Sequence, residues 1–303
     1  IIGLLIFGLS VFSYSLVPSL FFLLLVRFIH GFGWGLSSTS ASTVAADVIP
    51  KSRMGEGMGY YGLAGTLSMA VAPALGLYII SKFDFNILFL LATGMAGIAI
   101  VLAFTIKYRE VSGKTLKFSL IEKAAIRPTL VIFFITMTYG SIVSFLALYG
   151  AQLGIANIGL FFTIYAVALA ISRPFAGRMS DKVGFNVVVI PGILFIMSAM
   201  YILYCAVNIK WFLLAAVLYG IGFGAAQPSL QALAIVATPL ERRGAANATF
   251  FTGFDLGIGI SSIMWGVVAE AIGYSLMYLC AVIPALIGLI YYLATAFSKP
   301  AKE

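Results

Sequence analysis

Apolar stretches of roughly 20 residues recur from one end of this chain to the other, and that is the length at which an α-helix crosses the hydrocarbon core of a bilayer. The 303 residues are 62% hydrophobic and only 9% charged, with a mean hydropathy of +1.10, where soluble domains carry about 25% charged residues. A water-soluble enzyme is excluded. The chain reads as an all-α polytopic protein with the lipid bilayer as its solvent.

A window of about 19 residues marks ten spans, near 1-17, 20-46, 57-80, 86-106, 128-149, 155-174, 186-207, 211-237, 245-270 and 274-297. The net charge of +8 is distributed over alternate connections: Lys51 and Arg53; Lys107, Arg109, Lys114, Lys117, Lys123 and Arg127; Arg173, Arg178 and Lys182; Arg242 and Arg243; Lys299 and Lys302. The connections in between hold only Lys82 and Lys210. Basic residues collect in cytoplasmic loops, so the first set and the C-terminus are expected in the cytoplasm of a cell whose plasma membrane the chain spans. The charge therefore reports topology and not a nucleic-acid partner, which would need basic residues on one solvated face. Cys205 and Cys280 lie inside apolar runs, where packing is the expected role, and no disulfide, metal or cofactor is read from them.

The chain repeats itself. At an offset of 189, Gly3 aligns with Gly192, Gly31 with Gly220, Gly33 with Gly222, Gly35 with Gly224, Pro50 with Pro239, Arg53 with Arg242 and Gly55 with Gly244. Both copies read G-x-G-x-G and then P-x-x-R-x-G, which predicts two parallel, related halves of the kind some transporters place around a midplane site. The counterparts of spans 128-149 and 155-174 would precede residue 1, so the expected protein is a twelve-helix one lacking its first two helices here. The division that follows is 1-106 for the first half, 107-127 for a cytoplasmic linker and 128-303 for the second half. Ser112-Gly113-Lys114-Thr115 in that linker lacks the upstream glycine of a phosphate-binding loop.

Gly177-Arg178-Met179-Ser180-Asp181-Lys182-Val183-Gly184 resembles the G-x-x-x-D-[RK]-x-G loop signature of the major facilitator superfamily (MFS). Its glycines permit tight helix ends, and its carboxylate can approach the positive N-terminus of a neighbouring helix near Gly55 or Gly57, latching one half against the other. Leu23-x-x-x-Arg27-x-x-His30-Gly31-x-Gly33 resembles the family's fourth-helix signature, with His30 where glutamine is common. Arg27 lies roughly 10 Å inside its helix at 1.5 Å per residue, a depth that calls for a cavity or for snorkelling to the interface. The resemblance implies that Arg27 assists proton coupling through a nearby carboxylate; His30 could share that role or simply pack. Gly59, Ser68, Ala72, Pro73 and Gly76 resemble a degenerate form of the signature carried by drug:proton antiporters, although small-residue packing uses the same residues.

Outside these signatures, Asp255 lies about ten residues into its span, where a carboxylate needs polar surroundings. It could exchange a proton, counter a cationic substrate or hold a structural ion pair. Gln227 and Gln231 share a helix face, and Tyr139, Tyr165, Phe251 and Phe254 could line an apolar pocket. Asn247-Ala-Thr249 matches a glycosylation sequon at a cytoplasmic helix start, where it is expected to be unused.

The resemblance implies a monomeric secondary transporter working by alternating access on a small molecule. Proton-coupled export of amphipathic or hydrophobic compounds is the leading expectation. Uptake of a nutrient such as a sugar or organic anion is the alternative, and a sensor that binds without transporting keeps the same fold. An intramembrane enzyme finds no support, because neither H-E-x-x-H nor G-x-S-x-G occurs and the chain has one histidine.

Overall fold

A computed structural model describes residues 1–106, 121–155 and 157–296, with five side chains of one helix (69, 70, 73, 74 and 77) left aside. Most of the linker with its Ser112–Thr115 segment, and the terminal Lys299 and Lys302, lie outside the described residues. Ten α-helices occur among the described residues: α1 Ile2–Ser13, α2 Leu20–Val48, α3 Met54–Lys82, α4 Phe85–Thr105, α5 Ile126–Gln152, α6 Leu160–Val183, α7 Asn186–Tyr204, α8 Ile209–Val236, α9 Arg243–Cys280 and α10 Val282–Ala296.

Seven stretches among the described residues are long and apolar enough to cross a membrane, the last of them joining α9 and α10. The first expected span is a helix of 12 residues followed by a short 3-10 turn, because Pro18 follows close behind. Expected boundaries also shift at α6, which runs to Val183 and so carries most of the Gly177–Gly184 segment as helix and not as loop. Only Gly184 leaves the helical conformation, at φ 110°, where a side chain would be strained. Inside α9, Gly273 at φ 83° breaks the helix where the sequence placed the boundary between its last two spans.

Local capping follows ordinary chemistry. Asp84 accepts a hydrogen bond from the Ile87 N–H at the start of α4, and Asn208 accepts one from Lys210 N–H at the start of α8. The chain forms two compact units, each described on its own terms.

The first unit comprises residues 1–45 and 69–106 among those described. Here α1 packs on α4, and a Cβ built on Gly33 of α2 would lie 2.6 Å from the Phe7 backbone nitrogen and 3.1 Å from Gly3 O. The second unit comprises residues 46–68 and those from 121 on. It pairs α5 with α9, α6 with α8, α7 with α8, and α10 with α5 and α7. In it, a Cβ on Gly222 would lie 2.5 Å from Gly192 O and 3.0 Å from Ile196 N. Gly192, Ile196 and Gly222 are the counterparts, at offset 189, of Gly3, Phe7 and Gly33. The internal repeat thus reappears as the same glycine contact inside each unit. It reappears again where Pro50 and Pro239 each open a 3-10 turn, Lys51–Arg53 and Leu240–Arg242, ahead of a long helix.

The core of the second unit is aromatic. Tyr219, Tyr278 and Tyr292 are fully buried, and each hydroxyl is satisfied: Tyr219 with Thr138 Oγ1 at 2.9 Å, Tyr278 with Ser141 O at 3.2 Å, Tyr292 with Asn186 Oδ1 at 2.7 Å. No water competes for these groups in a bilayer, so an unsatisfied hydroxyl there would be costly. Leu, Phe, Ile and Val side chains instead cover the outside of α2 and α4, as lipid contact requires.

Candidate functional site

Within the second unit the start of α3 lies against the end of α6. Asp181 accepts hydrogen bonds from two backbone N–H groups of the first turn of α3, Gly55 to Oδ1 and Glu56 to Oδ2, each at 2.8 Å. Those N–H groups have no partner within their own helix, so a carboxylate at that spot satisfies them and meets the positive end of the helix dipole. Glu56 reaches back, accepting from Arg178 Nε at 2.7 Å and from Arg53 Nε at 2.8 Å. Hydrogen bonds from Arg178 and then Arg53 hold its carboxyl below the usual carboxylate range, against the opposing effect of burial.

Glycines bring the two backbones together. A Cβ on Gly177 would lie 2.5 Å from Gly55 O and 2.7 Å from the Glu56 Cα, and one on Gly59 would lie 2.9 Å from Arg173 O. One turn further, Gly62 leaves the space that the Arg173 guanidinium fills. Met54 and Met58 of α3 bury themselves against Ala232 and Ile235 of α8 together with Ala46. Arg243, at the start of α9, donates to Ala46 O at 2.8 Å. The contact between the 46–68 segment and the helices α6, α8 and α9 is therefore a small apolar plug ringed by charge-assisted hydrogen bonds.

Behind it runs a buried polar chain. Arg173 donates to Gln227 Oε1 at 2.9 Å, Gln227 Nε2 to Gln231 Oε1 at 3.3 Å, and Gln231 Nε2 to Asn247 Oδ1 at 3.1 Å. One turn along α8 from Gln227, Phe223 stacks on Tyr139 and Tyr219, with ring centroids 5.4 and 5.8 Å away. Tyr165 and Phe254 extend this wall, and Phe251 adjoins Phe254. These rings and amides pack against one another inside the unit, with Tyr165 and Phe223 at 4% exposure and Tyr139 and Gln227 at 8%, so the aromatic wall stands beside the polar chain as part of the core.

The residues singled out from the sequence fall into three places. Asp181, Gly177 and Gly59 lie in the α3–α6 contact. Lys182 is exposed and in no ion pair among the described residues, Gly76 faces open space, and the Pro73 side chain lies outside those described. Tyr139, Tyr165, Gln227, Gln231, Phe251 and Phe254 surround the aromatic wall and polar chain, with the two glutamines bonded to each other. Arg27 and His30 lie in the first unit. The His30 Nδ1 bonds the Tyr14 hydroxyl at 2.9 Å, and the Arg27 guanidinium lies 5.3 Å from the Tyr14 ring centroid. Asp255 is exposed on α9 with no hydrogen-bond or ion-pair partner among the described residues.

Arg173 corrects the sequence reading. Counted there among loop charges, it is 7% exposed and lies ten residues before the end of α6, about 15 Å from it at 1.5 Å per residue. Pro174 lies inside the same helix. Arg243 is likewise buried. The sequon Asn247 and Thr249 are buried within α9. Tyr219 and Phe223 were not singled out, and Asn247 was noted only as a sequon; the spacing of four between the two aromatics along an apolar helix is indistinguishable from ordinary packing in the sequence alone. No cluster of three His, Cys, Asp or Glu side chains able to hold a metal ion occurs among the described residues.

Comparison with known proteins agrees with this architecture. The family model described as Major Facilitator Superfamily matches the chain twice, over residues 1–157 and 128–303. An uncharacterized MFS-type transporter of Methanocaldococcus jannaschii is 25% identical over 312 aligned positions, covering 96% of this chain and 79% of the relative. Among solved structures, the human organic anion transporter MFSD10 superposes with a TM-score of 0.81 at 15% identity, over 96% of this chain and 75% of that one. The MFS transporter FucP in its outward conformation gives 0.78 at 14% identity, over 97% and 81%. The glycine contact repeated at offset 189, the Asp181 contact and the match over the whole length together make this chain a member of the Major Facilitator Superfamily, a multi-pass membrane protein of secondary transport and not an enzyme.

Proposed function

We propose that this chain exports small amphipathic or hydrophobic compounds from the cytoplasm across the plasma membrane, driven by protons, as a monomer that alternates between two accesses. The observation that carries this reading is the contact of α3 with α6. It is held by a few hydrogen bonds to one carboxylate and by glycines, so it can part and re-form at modest cost, as a gate must. In this reading all ten helices span the bilayer, the C-terminus is cytoplasmic, and the Asp181 contact closes the cytoplasmic side. Asp255, unpaired on α9, takes and releases the proton, and Arg27 with His30 assists from the first unit.

Uptake of a sugar or organic anion is the second reading, and the buried Arg173 favours it, since a fixed charge suits a polar substrate. The test is dye accumulation in cells expressing the protein, with and without a protonophore, beside Asp255→Asn and Arg27→Ala at matched membrane abundance. Lower accumulation that the protonophore and either substitution abolish supports export. Raised or unchanged accumulation over a broad panel of compounds refutes it.

A further inference from the structure

Among the described residues, Arg173 is a buried charge without a counter-charge. One guanidinium nitrogen donates to the neutral Gln227 amide, while the buried Nε has no hydrogen-bond partner among the described residues. Among the described residues it enters no ion pair, and the acids of the same contact are engaged elsewhere, Glu56 by Arg53 and Arg178, Asp181 by the N–H groups of α3. A cation removed from water and held by one neutral acceptor is costly, and a ligand anion at that place offsets the cost.

The surroundings favour such a ligand. Gln227 is turned by its bonds through Gln231 to Asn247, so its carbonyl and not its amide nitrogen meets the guanidinium. The guanidinium stays where it is because α3 has glycine at position 62. That side of the charge is bounded by an element that the gate reading lets move. One helical turn from Gln227 stands Phe223, stacked on Tyr139, and both rings are buried in the aromatic core of the unit.

We propose that Arg173 binds an anionic group, a carboxylate or sulfonate, of a small amphipathic substrate when the facing segment of α3 moves away from the guanidinium. A planar guanidinium with a free N–H is suited to such a group. The inference rests on the transport reading for its context but not on the direction of transport or on proton coupling.

The test uses the whole protein in nanodiscs and two probes of one shape, coumarin-3-carboxylate and its neutral primary amide, with binding read by equilibrium dialysis. Wild type is expected to prefer the carboxylate. Arg173→Gln should weaken the carboxylate by about tenfold or more and leave the amide within about twofold, and Arg173→Lys should fall between. Gln227→Glu supplies the missing counter-charge from within, so it should weaken the carboxylate to a similar degree even if Arg173→Gln fails to fold. Equal binding of both probes by wild type, no binding of the carboxylate, or equal loss of both probes in the variants would overturn the proposal. Failure of protonophore-sensitive export with carboxylate selectivity intact would refute the export reading alone.

Discussion

Replacing Asp181 with asparagine should open the contact between α3 and α6 without unfolding either helix. The carboxylate accepts two N–H groups at 2.8 Å, one on each oxygen. Asparagine retains one acceptor, loses the charge and turns an amide donor toward the other N–H. Hydrogen bonds to a charged group contribute about 1.5–3 kcal/mol each, and the helix terminus adds up to about 1 kcal/mol. Loss of one bond and weakening of the other comes to about 2–3 kcal/mol, or a roughly 30- to 150-fold shift toward the open contact. Met58, buried between α3 and α8, reports the opening. In a background with Cys205 and Cys280 changed to alanine, Met58→Cys would be alkylated by an impermeant maleimide from the cytoplasmic face of inverted vesicles. Alkylation should accelerate by that factor in Asp181→Asn and return toward the parent rate in Asp181→Glu. An unchanged rate would refute the idea that this carboxylate holds the contact closed.

Gly177→Ala should place a Cβ 2.5 Å from Gly55 O, against backbone that cannot yield as a side chain can; at a typical overpacking cost of about 1–3 kcal/mol it should give the same accelerated alkylation with normal membrane abundance. Glu56 is held below the ordinary carboxylate range, so its contribution is fully present above that range and is lost only as pH falls through its own lower value. Expressed relative to an exposed reference cysteine alkylated at the same pH, which cancels the loss of thiolate on acidification, the Met58→Cys rate should therefore stay flat from neutral down to mildly acid pH and rise only below the usual carboxylate range, and Glu56→Gln should abolish that rise. Tyr219→Phe removes the hydroxyl partner of Thr138 but leaves Thr138 bonded to Ile135 O, so thermal unfolding should show a loss of only about 1 kcal/mol. A loss above about 3 kcal/mol would contradict that account.

The sequence displays those parts of this molecule that recur or that violate the bilayer's preferences. Glycine and proline at a fixed offset announced the repeat, and at two of the aligned pairs the reason is a backbone contact: Gly3 and Gly33 meet in one unit as Gly192 and Gly222 do in the other. Asp181 was legible as a carboxylate awaiting a helix N-terminus, and the N–H groups of Gly55 and Glu56 are where it found one. Arg173 was misplaced because hydropathy averages over a window, and a single cation near the end of an apolar run looks the same whether the helix stops or continues three turns further. The bonds of Gln227 and Gln231 could not be read either. Their spacing gives a shared face, but only the crossing of α6, α8 and α9 determines that they bond to Arg173 and Asn247.

The glycine contacts between α1 and α2, and between α7 and α8, have a mechanical consequence. Where two backbones touch without intervening side chains there is no soft layer to shear, so neither helix can slide or roll against its mate without a carbonyl driving into the facing chain. Each pair must then swing as one stiff strut. Any bending that transport demands is left to the joints that hold no such contact, among them the broken helix at Gly273 and the sharp corner at Gly184.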